Sequence, residues 1–115
     1  MKKKKETNEN YLDRIPVRRE GMEWSTGDDG LVTLHVENKG VLNTVAQKLF
    51  KKPRITYVHL DENGSFIWPL IDGEKDITAI GVYVKAHFGE AAEPLYPRLA
   101  KFIQILSSYG FVTFK

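Results

Sequence analysis

Apolar positions along the chain change period several times, and each change predicts a different element. Met22-Glu23-Trp24-Ser25 reads as a short strand. Gly27-Asp28-Asp29-Gly30 follows with turn chemistry, because Gly and Asp tolerate positive φ. Leu31-Val32-Thr33-Leu34-His35-Val36 is rich in β-formers, and the two runs together predict a hairpin. After Asn38-Lys39-Gly40, the residues Val41, Leu42, Val45, Ala46, Leu49 and Phe50 recur at helical spacing until Pro53. Ile55-Thr56-Tyr57-Val58-His59-Leu60 returns to strand character. One face of that strand carries Thr56, Val58 and Leu60, the other Ile55, Tyr57 and His59, and the pattern leaves open which is buried.

The rest of the chain is helical in pattern. Asp61 is suited to cap a helix bearing Phe66, Ile67, Leu70 and Ile71, with a kink or tight last turn at Pro69 and an end at Asp72-Gly73. Asp76 caps a second, with Ile77, Ile80, Val84 and Phe88 on one face and Gly89 as its stop. Pro94 suits the first turn of a third, in which Leu95, Leu99, Phe102, Leu106 and Tyr109 fall on one stripe and Gly110 ends the run. Phe111–Phe114 closes the chain as a short strand or extended tail, and Tyr11–Pro16 is read as an extended lead-in because the residue before proline avoids the helical region. Strands gathered in one half and helices in the other predict an α+β fold, with a three-stranded antiparallel sheet followed by a three-helix bundle. The expected core includes Phe66, Trp68, Leu70, Ile80, Val84, Leu99, Phe102 and Leu106. Trp68 lies off the Phe66/Leu70 stripe and has a surface anchor as its alternative.

With 115 residues, 42% hydrophobic and 28% charged, the composition is that of one ordinary globular domain. The chain divides into a basic tail over 1–10, expected to be disordered, and a domain over 11–115 with an inserted segment at about 39–54. The helix in that insert is read as covering one end of the sheet, ahead of a role in docking a partner. Charge refines the picture. Lys and Arg number 17 against 15 Asp and Glu, but without residues 1–6 the balance is 13 against 14. The basicity sits in Lys2–Lys5, so the remainder offers little net field for nucleic-acid phosphates. Those lysines are read first as a solvated, disordered terminus and second as a tether to nucleic acid or to an acidic partner. Apolar runs fall short of the roughly 20 residues needed to span a bilayer, and Glu6–Asn10 stands where a signal peptide would be apolar. The expected location is the cytoplasm, with no membrane association.

The chemistry of catalysis is missing from the pattern. Cysteine is absent. His35, His59 and His87 lie 24 and 28 residues apart, without the close pairing common in metal sites. Ser107-Ser108 has no nearby His, and Asp28-Asp29 serves a turn. No glycine-rich phosphate loop occurs. The reading is a binding protein, not an enzyme, with no metal or cofactor. Three helices after a strand also fit a winged-helix DNA-binding transcriptional regulator. Its recognition helix would be the third, which offers only Arg98, Lys101 and Gln104. DNA binding is therefore the alternative.

From Leu60 onward the sequence resembles the PqqD family. The stretch from Leu60-Asp61 through Phe66-Ile67-Trp68-Pro69-Leu70 to Ile71-Asp72-Gly73 looks like the family's first helix and its apolar-Asp-Gly turn. Asp76–Ile80 with Phe88-Gly89-Glu90 resembles the second helix, and Arg98 to Leu106 with Tyr109–Val112 the third. The pattern spans about residues 55–114, and Trp24 with Val32–Val36 suits the family's N-terminal hairpin. The resemblance implies a winged-helix-like domain acting as a peptide chaperone, or RiPP recognition element. Such a domain holds the leader region of a ribosomally made precursor peptide and presents it to a modifying enzyme, commonly of the radical SAM type. It further implies a guest beside Ile55–Leu60 and the third helix, with Ile55, Tyr57, His59, Arg98, Lys101 and Phe102 as peptide-binding residues. Compact members have a tight turn where this chain carries Lys39–Arg54, so the resemblance leaves open whether the precursor is that of pyrroloquinoline quinone or of another product.

Overall fold

A computed structural model describes residues 11–37 and 55–115. The basic tail over 1–10 and the inserted helix expected within 39–54 lie outside the described residues. The chain forms two compact units, one of Gly21–Ser65 and the other of the chain up to Glu20 together with Phe66–Lys115. Its class is mixed α+β, with a three-stranded antiparallel sheet and three α-helices among the described residues, as the sequence pattern predicts.

The shorter strand β1 (Pro16–Arg18) belongs to the second of these units; the first unit holds β2 (Glu23–Thr26), β3 (Val32–Glu37) and β4 (Ile55–His59). These three form an antiparallel sheet in the order β2-β3-β4. Leu34 stands opposite Trp24 on one side and Val58 on the other; His35 stands opposite Glu23 and Tyr57. Val32 and Leu34 are buried. The face left open by the sequence is thereby assigned: Thr56 and Val58 share the face of Val32 and Leu34, while Tyr57 and His59 stand on the opposite, exposed face. The hairpin turn closes as its residue types dictate. Gly27 N–H donates to the Leu31 carbonyl, Leu31 N–H donates to Asp29 Oδ1, and Gly30 takes φ +83°, a left-handed value that suits glycine. Buried Ser65 ties the sheet to the helix that follows, accepting from Val32 N–H at 2.7 Å and donating to the Leu60 carbonyl at 3.3 Å.

Helix α1 (Glu62–Ile67) starts on Asp61, whose carboxylate accepts from Gly64 N–H at 2.8 Å. The boundary between the units falls inside it. Pro69 converts its continuation into a 3-10 turn over Trp68–Leu70, the tight ending expected from the missing donor. In the second unit, α2 (Ile77–Phe88) is capped by Asp76 and closed by Gly89 at φ +62°, and a 3-10 turn over Gly89–Ala92 leads to α3 (Leu95–Ser108). Pro94 is the residue before α3, one position earlier than the first turn expected for it. The final strand β5 (Val112–Phe114) pairs antiparallel with β1, Val17 opposite Thr113.

Within this unit Trp68, Ile71, Ile77, Ile80 and Ile103 are completely buried, with Leu99, Leu106 and Val112 close behind. Trp68 is thus a core residue, not a surface anchor. Phe66, Leu70 and Phe102, expected in the core, are only half-buried; Phe66 spends its exposed side in a stack with His87, ring centroids 4.2 Å apart. The lead-in also differs from expectation: Tyr11 and Leu12 enter a turn closed by Arg14 N–H to the Tyr11 carbonyl.

Candidate functional site

In the order β2-β3-β4, β3 is central and β4 terminal. Leu60 N–H donates to the Val32 carbonyl at 2.9 Å. In an antiparallel ladder, backbone groups that face the neighbour recur at every second residue. Val58 and Thr56 therefore belong with Leu60 in facing β3, and Ile55, Tyr57 and His59 direct their N–H and C=O groups to the outer edge. The same three residues share one side-chain face. Ile55 is half-buried, Tyr57 is 55% exposed and His59 is exposed. Such an edge is a template for an added strand, with backbone pairing for affinity and alternate side chains for selection.

Residues that the sequence did not single out complete this face. Tyr57 meets His35 edge-on, ring centroids 5.2 Å apart. His35 Nε2 lies 3.1 Å from Ser25 Oγ, and His59 Nδ1 lies 3.0 Å from Thr33 Oγ1. Only the register brings Ser25, Thr33 and His35 beside Tyr57 and His59. The one available sequence signal was polar residues alternating with apolar ones along Val32–Val36.

The other predicted residues gather on α3, in the other unit. Arg98, Lys101 and Phe102 line a shallow open hollow together with Pro97 and Ile105. Spacings of three, four and seven or eight residues put all five on one helix face. Its floor is apolar, and Ile105 is 43% exposed. Its two cations differ in freedom. Arg98 Nη1 donates to the carbonyls of Ala91 at 3.0 Å and Glu93 at 3.3 Å, so it also braces the approach to α3. Lys101 is exposed, and no partner holds it among the described residues.

Electrostatics at the start of α3 centre on Glu93. Its carboxylate accepts from Lys85 Nζ at 2.6 Å and from Leu95 N–H at 3.2 Å. The Lys85 hydrogen bond, then that of the Leu95 amide, holds Glu93 below the usual glutamate range; the same bond raises Lys85. Asp72, bonded to Lys75 Nζ at 2.7 Å and to the Glu74 amide, is held well below the usual aspartate range. All four groups are solvent-facing ion-pair members, not a catalytic pair poised near neutrality. Among the described residues, no group of three His, Asp or Glu side chains is placed to hold a metal ion. No helix among them is long and apolar enough to cross a membrane.

Residues 30–112 match the family model described as Coenzyme PQQ synthesis protein D (PqqD). No curated protein and no solved structure matches the chain.

Proposed function

The chain belongs to the PqqD family, and from that premise we propose that it is a non-catalytic, cytoplasmic adaptor that captures the leader region of a ribosomally made precursor peptide and presents it to a radical SAM-type maturase. The family's members are accessory chaperones of coenzyme PQQ synthesis, peptide-binding partners of a radical SAM enzyme. A winged-helix-like classification of the sheet and helices goes with this reading.

The observation that carries the proposal is the outer edge of β4. The backbone groups of Ile55, Tyr57 and His59 point outward, and the exposed Tyr57 and His59 side chains flank them. An extended guest pairs there through its main chain with little demand on sequence, and side chains on its matching face meet Tyr57 and His59. On the other unit, the Pro97–Ile105 hollow offers an apolar surface beside Lys101 and Arg98, suited to an apolar residue flanked by acidic ones. We propose both surfaces as guest contacts, each testable by itself. A DNA-binding reading gains no such support: α3 presents two cations, and Arg98 is held by the carbonyls of Ala91 and Glu93, which precede the helix.

The test is a titration of the isotope-labelled chain with the synthetic leader segment of the precursor encoded beside it, followed by amide shifts. Shifts concentrated at residues 55–60 and 95–105 are expected. A bound leader that leaves β4 unshifted would overturn edge capture.

A further inference from the structure

The exposed face of the sheet is built of cross-strand rows, and two of them contain a histidine. Glu23, His35 and Tyr57 form one row; Ser25, Thr33 and His59 form the next. The two imidazoles differ in what remains for a ligand. His35 has Nε2 taken by Ser25 Oγ, its ring against Tyr57, and a carboxylate, Glu23, across from it in its own row. His59 is tethered through Nδ1 to Thr33 Oγ1, which leaves Nε2 as its outward pole. Its row holds only hydroxyls. Lying on the terminal strand, His59 is also the last member of that row.

We propose that His59 is the specificity-determining residue of the β4 edge, taking a carboxylate from the guest residue that extends the Ser25–Thr33–His59 row. This inference rests on the edge-capture reading and adds what that reading leaves open, namely the side chain selected and its dependence on pH. A strand added outside β4 places one residue directly opposite His59, with Cβ atoms about 5 Å apart, within reach of an Asp or Glu. When the ring is neutral, its tautomer decides whether Nδ1 donates to Thr33 or accepts from it. When it is protonated, Nδ1 donates to Thr33 Oγ1 and Nε2–H donates outward, so the tether is compatible with either charge state. An imidazolium facing a carboxylate makes a charge-assisted hydrogen bond, stronger than its neutral counterpart.

The groups facing His59 do not supply that carboxylate. On β3 they are Thr33 and, diagonally, His35; on β4, Tyr57; beyond them on β2, Ser25. The acidic residues of this face, Glu23 and Glu37, stand in other rows, and no carboxylate pairs with His59 among the described residues. A guest aspartate or glutamate is the complement that the row lacks.

The experiment measures Kd for the synthetic leader segment on either side of the range in which histidine changes charge, about pH 5.5 and about pH 8. A series of leaders is included in which each Asp or Glu is changed singly to Asn or Gln. Wild type is expected to bind roughly fivefold to tenfold more tightly at the lower pH. His59→Gln, which keeps a neutral donor but cannot change charge, is expected to bring the ratio of the Kd values at the two pH values to about one. One amide-substituted leader does the same, and His35→Gln retains the difference. Capture that shifts β4 amides but does not vary with pH, or varies equally in His59→Gln, overturns this inference and leaves edge capture standing. So does a leader series in which no single carboxylate matters. Absence of β4 shifts at both pH values overturns both.

Discussion

Arg18 turns its Nη1 toward three carbonyls, those of Trp68 at 3.3 Å, Pro69 at 3.1 Å and Ile71 at 3.0 Å. They lie where a helix end runs short of backbone donors; the Trp68 carbonyl also accepts from Ile71 N–H at 3.1 Å, and the β1 side chain adds a donor for all three. Truncation strands half-buried carbonyls, so Arg18→Ala is expected to cost about 1–3 kcal/mol in urea unfolding at unchanged m-value. Arg18→Lys should recover only part, because the shorter, more strongly hydrated ammonium does not take up the position of Nη1 among the three carbonyls. Gly81 works through what it omits. A methyl group there would collide with the Tyr96 ring, whose hydroxyl donates to the Thr78 carbonyl at 3.1 Å. Gly→Ala inside a helix ordinarily gains up to about 1 kcal/mol, but Gly81→Ala should lose about 1–3 kcal/mol. In a Tyr96→Ala background the sign should reverse, and the double-mutant cycle reads that reversal; equal effects in both backgrounds would refute the packing argument.

Elements differ in what they leave unsatisfied. The hairpin of β2 and β3 closes locally, α1 and α2 have aspartate caps, and β4 ends the three-stranded sheet with half its backbone groups outward. The alternation makes a paired prediction. Proline at position 57 removes an outward N–H, whereas proline at 58 removes one that faces β3. Tyr57→Pro should therefore keep the cooperative melt and lose leader capture, and Val58→Pro should lose the melt itself. Circular dichroism melts and the titration separate the two; a Tyr57→Pro chain that loses its melt while Val58→Pro keeps it would mean that inward and outward groups are reversed, and equal damage to both would refute the alternation as the cause.

At the scale of the whole molecule, two surface ion pairs are expected to contribute to the acid limb of stability. Asp72 and Glu93 are both held below their usual ranges, chiefly by hydrogen bonds from Lys75 and Lys85. A carboxylate depressed in the fold contributes stability above its ordinary pKa and loses it as pH falls through the folded value. The raised lysines contribute fully at neutral pH and lose their part only as pH rises past the ordinary lysine range. Asp72→Asn keeps an acceptor for the Glu74 and Lys75 amides but no longer titrates. Thermal midpoints of wild type and Asp72→Asn should differ most near pH 6, and the gap should narrow progressively as pH falls below about 4 toward the depressed folded value, the wild-type curve falling more steeply there. Parallel curves would rule out this pair as a source of the acid limb.

The features legible in the residue pattern are local ones. Asp61 and Asp76 could be read as caps, Pro69 as a tightened turn and Gly89 as a stop, because each depends on backbone groups within four residues. The strand character of Ile55–His59 and the helical stripes of α2 and α3 were legible for the same reason, as was the placement of Tyr57 and His59 on one strand face. The tertiary structure decided which face that was, since Val32 and Leu34 had to select the buried side. It decided that Trp68 goes inside, that Ser25, Thr33 and His35 stand beside Tyr57 and His59, and that Arg98 is engaged by the carbonyls of Ala91 and Glu93. It also paired Pro16 with Phe114 across nearly the whole chain. Three-residue strands have no period long enough to announce themselves, and their pairing gains free energy only once the intervening chain has folded to bring them together.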